Sequence, residues 1–220
     1  MLQKSNLHHA ILSKVPEYFE ERGFQNPVDT FDGPFQFAMR TRLYYFDWLK
    51  SQPWYQSAFN TVMGIQRMNR GEEWFEFYPV KDRLRAGSSE TLLVDVGGGL
   101  GHDLLAFKKP FPELPGKLIV QDLPVFIDDV KDLPFGIEAM KHDFFTPQPV
   151  RYANAYHLRT VLHDWPDKQA REILSNIRLA MNKQSILLIN EDALPENNVP
   201  LYAAEPDISM MAAFSSLDRA

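Results

Sequence analysis

No cysteine occurs among the 220 residues of this chain. That excludes a disulfide framework, a thiolate nucleophile and a thiolate metal site. Positive charge is also scarce: 23 lysines and arginines stand against 29 aspartates and glutamates, a formal net charge of -6. An acidic chain without a basic run is a poor match for a nucleic-acid backbone, so no nucleic acid is expected as a partner. No apolar run approaches the ~18 residues of a membrane helix, and no membrane is expected either. Met1–Ala10 holds Lys4, His8 and His9 without an apolar core, unlike a signal peptide. The composition leads us to expect a soluble, cytoplasmic protein. Hydrophobic residues make up 45% of the chain, enough for one large domain or one domain plus a smaller piece.

The most informative stretch is Leu92-Leu93-Val94-Asp95-Val96-Gly97-Gly98-Gly99-Leu100-Gly101. A short Leu/Val run suits a strand covered on both faces. Gly97, Gly99 and Gly101 permit a tight turn and the close approach of a ligand, because no Cβ intervenes. The dinucleotide fingerprint needs glycines at i, i+2 and i+5, and five residues after Gly97 stands His102. The pattern present is Asp-x-Gly-x-Gly-x-Gly. Two readings stand: a nucleoside-binding loop, or a plain strand-to-helix turn.

Residues 1–85 read as mostly helical, with Phe35 through Leu49 and Trp54 to Met68 as candidate helices and Asn26 to Pro34 as a loop. Arg85-Ala86-Gly87-Ser88-Ser89 is a polar hinge, and the domain boundary is placed there. From 86 to 220 strands and helices alternate: strands over 91–96, 117–121, 137–140, 153–158 and 185–189, helices over 103–109 and 167–181, and a helical turn at 125–130. Ala170, Ile173, Leu174, Ile177 and Met181 share one helical face. Such alternation implies an α/β fold, a doubly wound, Rossmann-like parallel sheet preceded by a helical segment.

In such a sheet, ligands bind beyond the carboxyl ends of the strands. Asp122 ends the second strand and Asp143 follows the third, in His142-Asp143-Phe144-Phe145. The first is placed to accept hydrogen bonds from ribose hydroxyls, the second to meet an adenine amino group with Phe144 on the ring. Either can instead be a helix cap or turn residue. His163, in Leu162-His163-Asp164-Trp165, joins the fourth strand to the long helix. An imidazole with an ordinary pKa of about 6.5 suits general-base work, and a carboxylate from Glu191 or Asp218 could fix its tautomer. The alternative is a histidine that fills space near a helix start. His157, His163 and Asp164 form no compact ligand set, so no metal is expected.

Taken in order, Leu93 through Gly101, Gln121-Asp122-Leu123-Pro124, His142-Asp143-Phe144-Phe145, Leu162-His163-Asp164-Trp165 and Asn190-Glu191 resemble the class I S-adenosylmethionine-dependent O-methyltransferases of the caffeic-acid type. The fungal secondary-metabolism branch is most similar, and the segment from Asn26-Pro27 to Asp47-Trp48-Leu49 extends the likeness. The resemblance implies S-adenosylmethionine as cofactor. Gly97, Gly99 and Gly101 would hold its methionine part, Asp122 its ribose, Asp143 and Phe144 its adenine. Arg159 stands where the family usually has a lysine near the cofactor. His163 would take the proton of a substrate hydroxyl, flanked by Glu191 and by Asp218, where the family often has glutamate. The substrate would be a small aromatic molecule, a polyketide-type phenol, and Phe59 and Met63 would help line its site.

The chain also departs from that family. Members begin with a helical dimerisation domain, which this chain would lack, although a homodimer is usual. They continue past the Asp218 region with a helix and two more strands, so the C-terminal strands are expected to be missing. Three readings follow: an O-methyltransferase, a non-catalytic methyltransferase-like protein, or a methyltransferase fold recruited to non-methylating chemistry such as a pericyclic step.

Overall fold

The structure, a computed structural model, describes residues 2–68, 72–87, 90–195 and 197–216. Among the described residues, seven helices come first: α1 (Leu2–Leu12), α2 (Val15–Arg22), α3 (Pro34–Met39), α4 (Tyr45–Lys50), α5 (Pro53–Met68), α6 (Trp74–Phe77) and α7 (Val80–Arg83). Then follow β1 (Thr91–Val96), α8 (His102–Lys108), β2 (Lys117–Asp122), α9 (Pro124–Ile127), β3 (Ile137–Lys141), β4 (Ala155–Arg159), a 3-10 turn (Leu162–Asp164), α10 (Asp167–Ala180), β5 (Ile186–Asn190) and α11 (Leu201–Phe214). Two compact units result. The helical unit holds residues 1–72, 163–168 and 192–220; the sheet unit holds 73–162 and 169–191.

The sheet has the order β3-β2-β1-β4-β5 with every pairing parallel. Parallel pairs need a crossover between strands, and the apolar β1, buried from Leu92 to Val96, occupies the centre as its composition requires. Strand order reverses between β1 and β4. That reversal opens a crevice at the carboxyl ends of the strands, where open α/β sheets take ligands. Leu92, Leu93, Leu104, Phe107, Leu118, Val120 and Ala155 form the core, and Trp74, Phe75, Val80 and Leu84 join it from upstream of β1. Trp74 stacks on Phe107 at 5.4 Å between ring centroids and 6° between planes. Helix α10 buries Ala170, Ile173, Ile177 and Ala180 at the expected helical spacing, and Pro166 stands just before it.

One helical expectation needs correction. Residues 35–49 are two helices, because Arg40 adopts a left-handed φ of 51° and closes α3. The Gln36 side-chain amide then holds the carbonyls of Thr30 and Leu43, at 2.9 and 3.0 Å, and fixes the chain reversal. The helical unit packs around aromatic rings, with Tyr45 against Phe35, Phe59 and Phe214.

Candidate functional site

The turn after β1 is packed tightly against the strand ends. Gly97 has a φ of +74°, and a Cβ there would stand 2.9 Å from Val161 Cγ2 and 3.7 Å from Phe144 Cε1. Gly98 is tighter: its Cβ would meet Asp95 Oδ2 at 2.3 Å and Val120 Cγ2 at 2.8 Å. A side chain at either position would push the loop away from the strand ends. The N–H groups of Gly97 and Gly98 both donate to the carbonyl of Gln121, at 2.8 and 3.1 Å. Gly101 is the residue before α8, the helix whose N-terminus faces the turn.

Asp122 closes β2 beside this loop. Its Oδ2 accepts the Gly99 N–H at 2.7 Å and its Oδ1 accepts the Leu123 N–H at 2.7 Å. The carboxylate is thus oriented by two backbone donors. Asp143 follows β3 and accepts the Phe145 N–H through Oδ1 at 3.0 Å, in a tight turn. Phe144 packs edge-on to Phe145 at 5.1 Å, and its carbonyl accepts the Asn176 side chain at 3.1 Å. Its proximity to Gly97 brings the turn after β3 to the glycine loop.

Arg159 ends β4 with its side chain 9% exposed. Its Nη1 contacts Glu73 Oε2 at 2.7 Å and Asp103 Oδ1 at 3.1 Å. The next residue, Thr160, has a φ of 49°. For a β-branched residue that conformation costs on the order of 1–3 kcal/mol. Glu191, after β5, restrains this strained exit: its Oε1 accepts the N–H groups of Val161 and Leu162 at 2.9 and 2.7 Å. The sheet unit therefore gathers Gly97, Gly99, Gly101, Asp122, Asp143, Phe144, Arg159 and Glu191 at its strand ends.

His163 belongs to the helical unit, one residue beyond Leu162. Its Nε2 lies 3.5 Å from Asp164 Oδ1, with 23% and 19% of the two side chains exposed. Trp165 stacks on Tyr44 at 4.6 Å and 24°. Burial, reinforced by the Asp164 carboxylate, pushes the Tyr44 and Tyr45 hydroxyls well above the usual phenol pKa. Phe59, on α5, packs against Tyr45 and Phe46. Met63 lies on the same helix, but its side chain is outside the described residues, as is Asp218.

Several site-shaping residues escaped sequence reasoning. His157 Nδ1 lies 2.8 Å from Asp95 Oδ1, both side chains 2% exposed or less. The two residues are direct partners in the β1–β4 register, which no single-sequence signal reveals. Glu73 and Asp103 belong to no sequence motif; the structure places Nη1 of Arg159 against both. Among the described residues, no group of three or more His, Asp or Glu could hold a metal ion.

Comparison with known proteins gives this arrangement a family. Residues 82–219 match the family model of the O-methyltransferase domain. Demethylsterigmatocystin 6-O-methyltransferase of Aspergillus parasiticus is 37% identical, over 93% of this chain and 53% of that protein. A structure of LepI in complex with SAM (S-adenosylmethionine) superposes with a TM-score of 0.89 at 36% identity, covering 96% of this chain and 55% of the other. A structure described as a pericyclic reaction enzyme gives 0.88, also at 36% identity, with 96% and 55% covered. The chain spans about half the length of these relatives. With the family model matching more than half of it, the chain belongs to the O-methyltransferase domain family.

Proposed function

We propose that this chain binds S-adenosylmethionine at the strand ends of the sheet unit and serves methyl transfer to a hydroxyl of a small aromatic secondary metabolite. The observation that carries the proposal is the join between Asp122 and the Gly97–Gly101 turn, a carboxylate held by the loop's own Gly99 N–H. That join fits a nucleoside with two adjacent ribose hydroxyls. Asp122 accepts those hydroxyls, and Asp143 and Phe144 take the adenine amino group and ring. Gly97, Gly99 and Gly101 lie along the methionine part. Arg159, held through Nη1 by Glu73 and Asp103, would stand near the cofactor.

The cofactor supplies an activated methyl on a sulfonium. A phenol with a pKa of about 10 is a weak nucleophile at neutral pH. His163 would take the proton of that hydroxyl as general base. Positioning and this base are what the protein contributes. Glu191 acts on the backbone immediately before His163 in the chain, and Asp218 is the second carboxylate proposed to orient the imidazole. Phe59 and Met63 belong to the acceptor side. A cytoplasmic location completes the proposal.

The fitting experiment follows labelled methyl from the cofactor into a panel of phenols, with His163→Ala in parallel. Transfer that falls at least a hundredfold in the variant, the usual scale of a general base, is the expected result. The likeness to a pericyclic reaction enzyme supports a second reading. Under it, the cofactor accelerates product formation while no label moves.

A further inference from the structure

Gln121 is fully buried in β2, one residue before Asp122. A buried primary amide is costly unless each of its groups finds a partner. Here the partner is a second amide. Gln121 Nε2 donates to Gln148 Oε1 at 2.9 Å, and Gln148 Nε2 donates back to Gln121 Oε1 at 2.8 Å. Gln148 is itself 5% exposed, and its Oε1 also accepts the Val150 N–H at 3.1 Å. A second bond from Gln121 Nε2 reaches Met140 Sδ at 3.2 Å, on the neighbouring strand.

The placement matters more than the bonds alone. The backbone carbonyl of Gln121 is the acceptor shared by Gly97 and Gly98. Its side chain reaches in another direction, to the segment between β3 and β4. That segment, residues 142–154, contains no helix or strand. It carries Asp143 and Phe144. One residue of β2 therefore grips the glycine loop through its main chain and the β3–β4 segment through its side chain. An apolar residue of similar shape at 121 would keep the strand and the first grip but lose the second.

We propose that the Gln121–Gln148 amide pair is a positioning element for the nucleobase, holding the Asp143–Phe144 turn in register with the glycine loop so that the adenine amino group is read. The inference rests on the cofactor assignment above. Neither glutamine touches the ligand; each acts through the turn, on discrimination at the base.

The test is calorimetric titration of the chain with S-adenosylhomocysteine and with S-inosylhomocysteine, which carries a 6-oxo group in place of the 6-amino group. A lost hydrogen bond to a carboxylate predicts a preference of roughly tenfold or more for the adenine ligand in the parent chain. Gln121→Met and Gln148→Met are each expected to reduce that preference to about twofold or less. The double variant is expected to match the worse single, since both changes remove one interaction and contacting residues are not additive. Gln148→Met, lying in the loop segment, carries the test if Gln121→Met does not fold. Folded variants with an unchanged preference, whatever happens to their melting temperature, overturn the proposal. So does additive loss in the double variant, or a parent chain that binds both ligands equally. A parent that binds neither ligand refutes the cofactor assignment itself.

Discussion

Asp122 receives two backbone N–H groups at 2.7 Å, an arrangement that fixes its direction. Asp122→Ala is expected to weaken S-adenosylhomocysteine binding at least tenfold, because a hydrogen-bonded charge contributes more than a neutral group. Gly98→Ala is a different kind of change. It drives a methyl into Asp95 and Val120, and overpacking of that kind costs about 1–3 kcal/mol; a urea melt reads it. His142 offers a pH signature. Burial holds its pKa below the usual histidine value, opposed by the neighbouring Asp143 carboxylate. The unfolded chain then binds the proton more readily, so stability is lower in acid and rises as pH climbs to about 6.5, levelling above it. His142→Gln should flatten that part of the stability profile. At this scale the sequence displayed Gly97, Asp122, Asp143 and His163, because each lies in a short local motif. Gly98, Gln148 and His157 were not legible, since their importance depends on which strand lies alongside and how a loop returns.

The elements divide in the same way. β1 was readable to its last residue because a strand buried on both faces is a continuous apolar run bounded by turn residues. β2 and β5 each extend one residue beyond the expected end, within the ordinary uncertainty of strand limits. The split between α3 and α4 was hidden, because Phe35 to Leu49 is rich in large apolar residues throughout and no proline or glycine marks the break. What ends α3 is Arg40 in a left-handed conformation, and what stabilises the reversal is Gln36, 6% exposed and bonded to two carbonyls. Gln36→Leu strands those acceptors, and about 1–3 kcal/mol of stability should be lost for an unsatisfied buried group. In the sheet unit, Trp74 lies between Phe107 and His157, at centroid distances of 5.4 and 5.1 Å. Trp74→Ala should cost about 3–5 kcal/mol, as large-to-small changes of buried aromatics do. The short helices α6 and α7 thereby count as part of the sheet unit's core, although they precede the polar stretch 85–89.

At the scale of the molecule, the chain passes between its two units around residues 72–73, 162–163, 168–169 and 191–192. The candidate cofactor cradle lies within one unit, and the candidate base stands one residue past such a passage. The parallel, doubly wound sheet was foreseeable because α/β alternation implies it, whereas the strand order β3-β2-β1-β4-β5 appears only in the structure. The identity of the acceptor was not foreseeable, since the residues that would line its site sit among helices whose aromatic rings read equally well as core. The measurement that bears most directly on the account is calorimetric titration of the folded 220-residue chain with S-adenosylhomocysteine, paired with Asp122→Ala. Saturable binding at one site per chain, lost or weakened at least tenfold in the variant, is the outcome predicted from a charge-assisted contact. A folded chain that takes up no ligand, or one that binds equally well without the Asp122 carboxylate, would contradict it.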